Sequence, residues 1–384
     1  MRVIICGGGT AGHVTPGIAI AEYIKKHSRH SDILFVGRDG GEENSLIKRS
    51  GFKLATVDVQ GFKRSLSLKN ATALMKVLIA LRKAGRILKD FHPNAVIGTG
   101  GYVCWPIIKA AQHAKIPTLL HESNAYPGLT TRTLSGGCDR VLVNYEECKR
   151  HLKRQDNTLA VGNPVRSEFM IGSRAAARKR LNISPSEIFI LSFGGSGGSD
   201  VMNECILSVM KAYSKQNKRI QHLHATGHRY FEKAKESFPE LIGELVRCRA
   251  VPFINDMPTY MLACDIVISR AGAMTLSEIS QASVCPIIIP SPNVTDDHQR
   301  KNAKVYEAAG AGVIIDESEL TPERLREEIE RLISQRNARE EIAKRAHSFS
   351  IGDSAKIIFE EIEKLIEKRL KNKQSDENAK TIEF

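Results

Sequence analysis

The sequence predicts an α/β protein of two Rossmann-like domains, and three observations predict it. Near the start, the apolar run Val3-Ile4-Ile5-Cys6 passes straight into Gly7-Gly8-Gly9-Thr10-Ala11-Gly12-His13, with Pro16 and an apolar helical pattern behind. About half a chain later, Ile188-Phe189-Ile190-Leu191-Ser192-Phe193 enters Gly194-Gly195-Ser196-Gly197-Gly198 and a helix that opens near Val201. Each is a strand, a glycine loop and a helix N-terminus, the unit in which bare backbone N–H groups meet an anionic ligand. The third observation is length: 384 residues exceed what one hydrophobic core usually serves.

Taken in order, the first glycine loop satisfies G-x-G-x-x-G through Gly7, Gly9 and Gly12, a spacing shared by dinucleotide enzymes, nucleotide-sugar transferases and plain tight turns. Helical apolar spacing over Ile18–Ile24 leads to a second strand, Ile33–Val36, which ends at Gly37-Arg38. An NAD enzyme wants an acid there to hold the ribose hydroxyls, and Asp39 comes only afterwards. Arg38 suits a 2′-phosphate, so an NADP-dependent oxidoreductase stays as one alternative.

Between Phe62 and Lys89 there are eight Lys or Arg and no acid, interleaved with Leu66, Leu74, Leu78, Leu81 and Leu88. Such a helix can bury one face on a sheet and solvate the other. It also fits an anionic membrane surface, which attracts basic amphipathic helices, and the absence of acids favours that reading.

Short strands at Ala95–Ile97 and Thr118–Leu120 run into Gly98-Thr99-Gly100-Gly101-Tyr102 and His121-Glu122-Ser123-Asn124-Ala125-Tyr126-Pro127-Gly128. In open α/β sheets ligands bind at the carboxyl ends of strands, so these loops should share an edge with the first. Val141–Val143 and Thr158–Val161 close the half, and Gly162-Asn163-Pro164-Val165 supplies turn chemistry for a domain crossing.

In the second half, strands are expected near Gln221–Ala225, Ala250–Phe253, Ile266–Ser269 and Pro286–Pro290. Ile266–Ser269 opens through Arg270-Ala271-Gly272 into a helix carrying Glu278. Small residues let N–H groups reach a diphosphate, and a carboxylate just inside the helix can accept both hydroxyls of a ribose. Thr275 and Glu278 also match a capping box, which is the plainer account of the acid. Asp296-Asp297-His298-Gln299 and Asn302 can hydrogen-bond sugar hydroxyls; a metal is set aside, because adjacent carboxylates diverge on a helix and no D-x-D spacing occurs. The resulting division is 1–162, 163–348, a C-terminal helix over 349–370 packing back on the first domain, and a charged tail over 371–384 expected to be disordered.

Composition bounds the function. Hydrophobic residues at 42% and charged residues at 26% are those of a packed globular chain. The net charge of +13 favours anionic partners such as phosphates, anionic lipid or nucleic acid, so a non-enzymatic basic lipid- or nucleic-acid-binding module is a second alternative. Eight scattered cysteines without a C-x-x-C pair suggest a reducing compartment rather than a disulfide framework or a metal site. The first strand begins just after Met1, leaving no room for an export signal, and no apolar run is long enough to span a bilayer.

Together, Gly7–Pro16 (GGGTAGHVTP), Gly98–Tyr102 (GTGGY), His121–Arg132 (HESNAYPGLTTR), Gly162–Arg166 (GNPVR), Gly194–Gly198 (GGSGG), Arg270–Ile279 (RAGAMTLSEI) and Asp297–Ala303 (DHQRKNA) cover nearly the whole chain. In that order they resemble the MurG family, bacterial N-acetylglucosaminyltransferases of peptidoglycan synthesis within the GT-B class. The resemblance implies two Rossmann-like domains facing across a cleft. The C-terminal half would bind UDP-N-acetylglucosamine, and the N-terminal half would receive the undecaprenyl-linked acceptor lipid I at the cytoplasmic face of the cell membrane, as a peripheral protein. The product would be lipid II. No cofactor, metal or nucleic acid is implied, and other cell-wall synthesis proteins are the expected protein partners.

Carried over by residue, the resemblance makes Glu278 the ribose-binding acid and Ile254 the residue whose backbone reads the uracil, with Arg166 and Ser196 near the nucleotide and diphosphate. Asn124, Ala273, Met274 and Gln299 would surround the sugar, and Thr10, Ala11 and Gly12 would close over it from the other domain. Two departures stand out: Ala11 replaces a usual glycine, and Gly197-Gly198-Ser199 replaces the usual Gln-Gly-Ala. For an inverting displacement the acceptor hydroxyl needs a base. His13, an imidazole at a loop mouth, comes first and Glu122 second, while a structural hydrogen bond within the loop is the alternative role for His13.

Overall fold

Apolar β-branched runs too short for helices become buried parallel strands, and the polar, helical-period segments between them become the crossovers. The computed structural model describes the chain apart from residues 42–43, 60–68, 196, 217–218, 244–245 and 383–384, and apart from the side chains of 11, 69–76, 216, 373 and 376–382. The chain divides into two units, Met1–Pro164 with Asp353–Phe384, and Val165–Gly352.

The first unit holds a seven-stranded parallel sheet of β1 (Arg2–Cys6), β2 (Asp32–Arg38), β3 (Lys53–Val57), β4 (Ala95–Gly98), β5 (Thr118–Glu122), β6 (Arg140–Val143) and β7 (Thr158–Ala160), in the order β3-β2-β1-β4-β5-β6-β7. Cys6 pairs with Val36 on one side and Gly98 on the other, so the strand order reverses around β1. That reversal opens a crevice at the carboxyl ends of β1 and β4, the position where such sheets bind ligands. One sheet face packs on helix Ala11–His27 and the C-terminal helix, whose Ile358 and Ile362 are wholly buried among Ile20, Ile24 and Ile33. At roughly 2 to 3 kcal/mol per buried aliphatic side chain, these contacts hold the last helix to the unit in which the chain began. The opposite face packs on helices Lys69–Phe91 and Cys104–His113.

The C-terminal helix spans Ser354–Ile382 and so runs through the charged stretch after 370, where the sequence suggests disorder. The reason lies in composition: that stretch has no Gly or Pro, and an already nucleated helix adds Lys, Glu, Gln and Ala residues at little cost.

The second unit repeats the plan with β8 (Ile188–Phe193), β9 (Ile220–Ala225), β10 (Cys248–Val251), β11 (Ile266–Ser269), β12 (Cys285–Ile288) and β13 (Val313–Ile314), ordered β10-β9-β8-β11-β12-β13. Here the reversal falls around β8, between the Gly194–Gly198 loop and the Arg270–Gly272 loop. The strand expected at Ala250–Phe253 lies earlier, at Cys248–Val251. Pairing to β9 sets that register, Val251 opposite Ala225, and leaves Phe253 beyond the sheet, 45% exposed and stacked on His228. Among the described residues no helix is long and apolar enough to cross a membrane.

Candidate functional site

In the first unit the two glycine loops clasp each other backbone to backbone. Gly8 N–H donates to the Gly100 carbonyl at 3.2 Å. A Cβ on Gly101, whose φ is +85°, would sit 1.9 Å from the Gly8 carbonyl oxygen, so no other residue fits. The result is a backbone-lined floor at the crevice of β1 and β4.

His13 stands on that floor in the first turn of Ala11–His27. Its Nδ1 lies 3.0 Å from the Gly8 carbonyl oxygen and 3.3 Å from Thr10 Oγ1, and its own carbonyl accepts the Thr99 hydroxyl at 2.7 Å. A carbonyl only accepts, so Nδ1 carries the hydrogen and Nε2 holds the lone pair of the neutral ring. Gly100 passes against the imidazole, a Cβ there falling 2.4 Å from His13 Cδ2. The structural bond expected within the loop therefore exists, and it fixes the ring with Nδ1 toward the loop backbone, a geometry compatible with Nε2 accepting a proton. Thr10 and Gly12 are exposed at the loop mouth; the side chain of Ala11 lies outside the described atoms.

Glu122 does not suit the role of base. At the end of β5 its Oε1 accepts from Asn124 N and Nδ2, each at 3.1 Å, while Oε2 accepts from Gly128 N at 3.0 Å and Thr131 Oγ1 at 2.7 Å. Four donors saturate a carboxylate that is 6% exposed, so its work is to shape the 121–131 loop and present Asn124. Asn163 Nδ2 and Asn144 Nδ2 meet the same loop at the Ser123 carbonyl. At the end of β2, where a dinucleotide acid would stand, the Asn44 side chain covers Gly37, and Arg38 is exposed.

The second unit holds the other described candidates after β10, β11 and β12, together with Arg166. Helix Ala273–Ala282 starts from Gly272, which puts no side chain over its first turn. Thr275 is thus the third helical residue rather than the cap, which removes the capping-box account of Glu278. Ala273 is buried and Met274 half-buried in that first turn. Glu278 projects one turn on, its Oε1 3.4 Å from Arg166 Nη2, with 13% of its side chain exposed. Burial pushes its carboxyl up to about 7, and the Arg166 guanidinium pulls in the other direction. Gln299 Oε1 accepts from Ser291 N at 2.9 Å, and buried Asn302 Nδ2 donates to the Ala271 carbonyl at 3.1 Å, so the helix that starts at His298 braces the loops after β11 and β12. Ile254 is buried just past β10. Ser196 lies outside the described residues.

Arg270 is a site residue that sequence reasoning left without a role. It ion-pairs with Glu317, donates to Ser199 Oγ at 2.6 Å, and reaches the carbonyls of Ile289 and Pro290 at 3.3 Å each. One guanidinium fork therefore ties together the loops after β8, β12 and β13. Its only sequence signal is a cation directly after a buried strand.

Among the described residues no group of three or more His, Cys, Asp or Glu is arranged to hold a metal ion. Helix Lys69–Phe91 buries Ala80, Ala84, Leu88 and Phe91, as a sheet-covering helix does, and turns out Arg82, Lys83 and Arg86 beside Leu78 and Ile79, which are 49% and 56% exposed. Residues 62–68, the start of the basic stretch, lie outside the described residues.

The chain matches the model of the glycosyltransferase family 28 N-terminal domain over residues 3–143 and that of the C-terminal domain over 189–358. It is 40% identical, over 97% of its length and 99% of the relative's, to a protein of Acetivibrio thermocellus named UDP-N-acetylglucosamine–N-acetylmuramyl-(pentapeptide) pyrophosphoryl-undecaprenol N-acetylglucosamine transferase. A protein of the same name from Clostridioides difficile is 36% identical over 95% of this chain and 89% of its own. Among solved structures, Acinetobacter baumannii MurG aligns with a TM-score of 0.75 and 27% identity over 94% of this chain and 99% of that one. A UDP-GlcNAc 2-epimerase from Neisseria meningitidis shares the fold, with a TM-score of 0.64 and 16% identity over 95% of this chain and 100% of that one.

Proposed function

The chain belongs to the family of UDP-N-acetylglucosamine–N-acetylmuramyl-(pentapeptide) pyrophosphoryl-undecaprenol N-acetylglucosamine transferases, and from that premise we propose the reaction and the roles of its residues. It transfers N-acetylglucosamine from UDP-N-acetylglucosamine to the 4-hydroxyl of the N-acetylmuramoyl sugar of lipid I, releasing UDP and lipid II. The observation that carries the reading is Glu278 beside Arg166, one turn inside a helix whose first turn carries no side-chain cap. A ribose offers two vicinal hydroxyls to one carboxylate, and the diphosphate next to it meets N–H groups and the positive helix end.

The transfer is a single inverting displacement. The acceptor O4 attacks the anomeric carbon, its proton passes to His13 Nε2, and the bond from that carbon to the diphosphate oxygen breaks with its electron pair leaving on UDP. Fixed donors meet the charge that grows on the leaving oxygen: the N-terminus of Ala273–Ala282 and the Arg166 guanidinium. Asn124, Met274 and Gln299 contact the sugar, the first presented by Glu122 and the last held against Ser291. Ile254 receives the uracil. Thr10, Ala11 and Gly12, at the mouth of the first glycine loop, are the first unit's proposed contacts to the donor sugar.

The basic amphipathic helix with Leu78 and Ile79 outward supports peripheral attachment to an anionic membrane, where a lipid-linked acceptor resides. Beside it, Leu81, Leu88, Trp105, Ile366 and Leu370 line a groove of about 1210 Å³ flanked by Lys89, Lys109 and Arg369, which suits lipid chains below anionic headgroups.

The test is transfer of radiolabelled sugar from UDP-N-acetylglucosamine to a lipid I analogue, with and without chelator. Label should appear in the lipid fraction at equal rates in both arms. A chain that binds NADPH, fails to bind UDP and transfers no label would overturn the reading.

A further inference from the structure

Below the carboxyl ends of β8 and β9 runs a chain of five buried polar groups: Ser192, His222, His224, Asn203 and Thr226. Ser192 Oγ lies 2.8 Å from His222 Nε2 and 2.9 Å from His224 Nδ1. His224 Nε2 lies 3.0 Å from Asn203 Oδ1, and Asn203 Nδ2 donates to the Thr226 carbonyl at 3.0 Å.

These contacts permit one direction only. The Thr226 carbonyl accepts, so Asn203 meets it with its amide hydrogens and turns its oxygen to His224. His224 must then carry its hydrogen on Nε2. Burial holds both imidazoles neutral, pushing His224 down to about 4 and His222 well below its usual value, so His224 Nδ1 is an acceptor. Ser192 therefore donates to His224 and accepts from His222. The chain ends on His222 Nδ1, a buried lone pair without a partner among the described residues.

The other end is where the chain meets the loop after β8. A Cβ on Gly198 would sit 2.1 Å from the Thr226 carbonyl oxygen, and one on Gly227 would sit 2.9 Å from Gly198 N. The two backbones touch with no side chain between them to absorb a shift, so wherever the Thr226 carbonyl goes, Gly198 must follow. Asn203 also closes the first turn of the helix that follows this loop, its N–H donating to the Ser199 carbonyl at 2.8 Å.

We propose that Asn203 is a positioning residue for the donor: held by His224, it fixes the Thr226 carbonyl and thereby the height of the Gly197-Gly198 backbone that faces the nucleotide diphosphate. This rests on the reading of the second unit as the UDP-N-acetylglucosamine site. Nothing in the chain touches substrate; it sets the backbone that does.

The experiment is UDP binding by calorimetry, with steady-state kinetics, on the full chain and two variants. Asn203→Asp puts a second acceptor against the Thr226 carbonyl, and should raise the UDP dissociation constant and the donor KM by about tenfold while the KM for a lipid I analogue stays within about twofold. Ser192→Ala cuts the chain two links back and should give about a threefold effect in the same direction, and it carries the test if Asn203→Asp does not fold. In the wild type, the exchange-protected imidazole N–H of His224 should be visible by NMR and should shift on adding UDP. A merely structural role predicts a lower melting temperature with unchanged donor KM in the folded fraction. Folded variants that bind UDP within about twofold of wild type would overturn the proposal. A wild-type chain that does not bind UDP would instead sink the donor reading, and this inference with it.

Discussion

His13 Nδ1 points at the carbonyl oxygen of Gly8 from 3.0 Å, and that contact decides which imidazole nitrogen can take a proton. A loop that must approach a ligand with bare backbone also has bare carbonyls, and one of them is used to set a tautomer. Replacing His13 by Ala should lower turnover by about 100-fold or more, because a positioned base contributes that order of acceleration. UDP affinity should stay unchanged, since no donor contact of the second unit is touched. Turnover within about threefold of wild type would remove His13 from the role.

Glu122 tests the opposite assignment. In Glu122→Gln an amide NH₂ would face the donors of either Asn124 or Gly128 and Thr131, so two charge-assisted hydrogen bonds become a donor-to-donor contact. The expected loss is about 3 kcal/mol of stability, read as a lower urea midpoint. Turnover should fall together with Asn124 positioning, while the pH dependence of the remaining activity keeps its wild-type shape. A vanished acid limb in the pH–rate profile would restore Glu122 as the base.

Much of this was legible in the sequence because glycine loops after buried strands have few structural solutions. The Gly7–Gly9 and Gly98–Gly101 runs could be placed together because ligand crevices form where strand order reverses. What sequence could not carry depends on loops returning from a distance. Glu122 reads as a spare carboxylate until the chain turns at Pro127 and brings Gly128 and Thr131 back onto it. Arg270 has no reason to meet Glu317, 47 positions away, until β11, β12 and β13 line up side by side. His222 and His224 lie two apart in the strand Ile-Gln-His-Leu-His-Ala, a period that puts both on one face, but their partners Ser192 and Asn203 come from other elements.

With Glu278 in the proposed ribose-binding role, donor binding depends on pH. Its carboxyl stands at about 7 in the ligand-free chain because burial disfavours the charge. Accepting two ribose hydroxyls calls for the ionised form, so the donor KM should fall as pH rises through 7 and climb by up to about tenfold per unit below it. Glu278→Gln should flatten that dependence and weaken binding at pH 8. The linkage to folding has the other sign: a raised carboxyl pKa stabilises the fold at pH values below the ordinary carboxylate range, and that contribution is lost as pH rises through 7. Thermal melts of the ligand-free wild type and Glu278→Gln, compared between pH 5 and 8, isolate it from the opposing contribution of the buried histidines. A donor KM independent of pH from 6 to 8 would remove Glu278 from ribose binding.

His222 and His224 set the acid limit of the second unit. Both are held neutral by burial, so the unfolded chain takes up two protons that the folded one refuses. Stability is then complete above the unfolded histidine value and falls as pH drops below it, by about 1.4 kcal/mol per unit for each ring, until pH nears the folded values. Urea midpoints should decline steeply between pH 6.5 and 5. Replacing His224 by Gln should lower stability at pH 7 yet halve that slope. A slope equal to wild type in the variant would mean that other groups govern acid unfolding.

The proposed membrane attachment would draw two separable contributions from helix Lys69–Phe91. Arg82, Lys83 and Arg86 face outward from its described part, and Lys69 and Lys76 belong to the same helix. If each basic residue near an anionic surface contributes about 1 kcal/mol, neutralising all five should release the protein from anionic vesicles at physiological salt. Leu78 and Ile79 act differently, because apolar insertion does not depend on salt. Changing both to Ser should weaken vesicle binding equally at low and high ionic strength, whereas the charge variants should lose their difference from wild type as salt rises. Since these positions belong to the first unit, UDP affinity should be untouched in every variant, while transfer to a lipid acceptor embedded in vesicles falls. Vesicle binding undiminished by both sets would place the membrane-facing surface elsewhere on the chain.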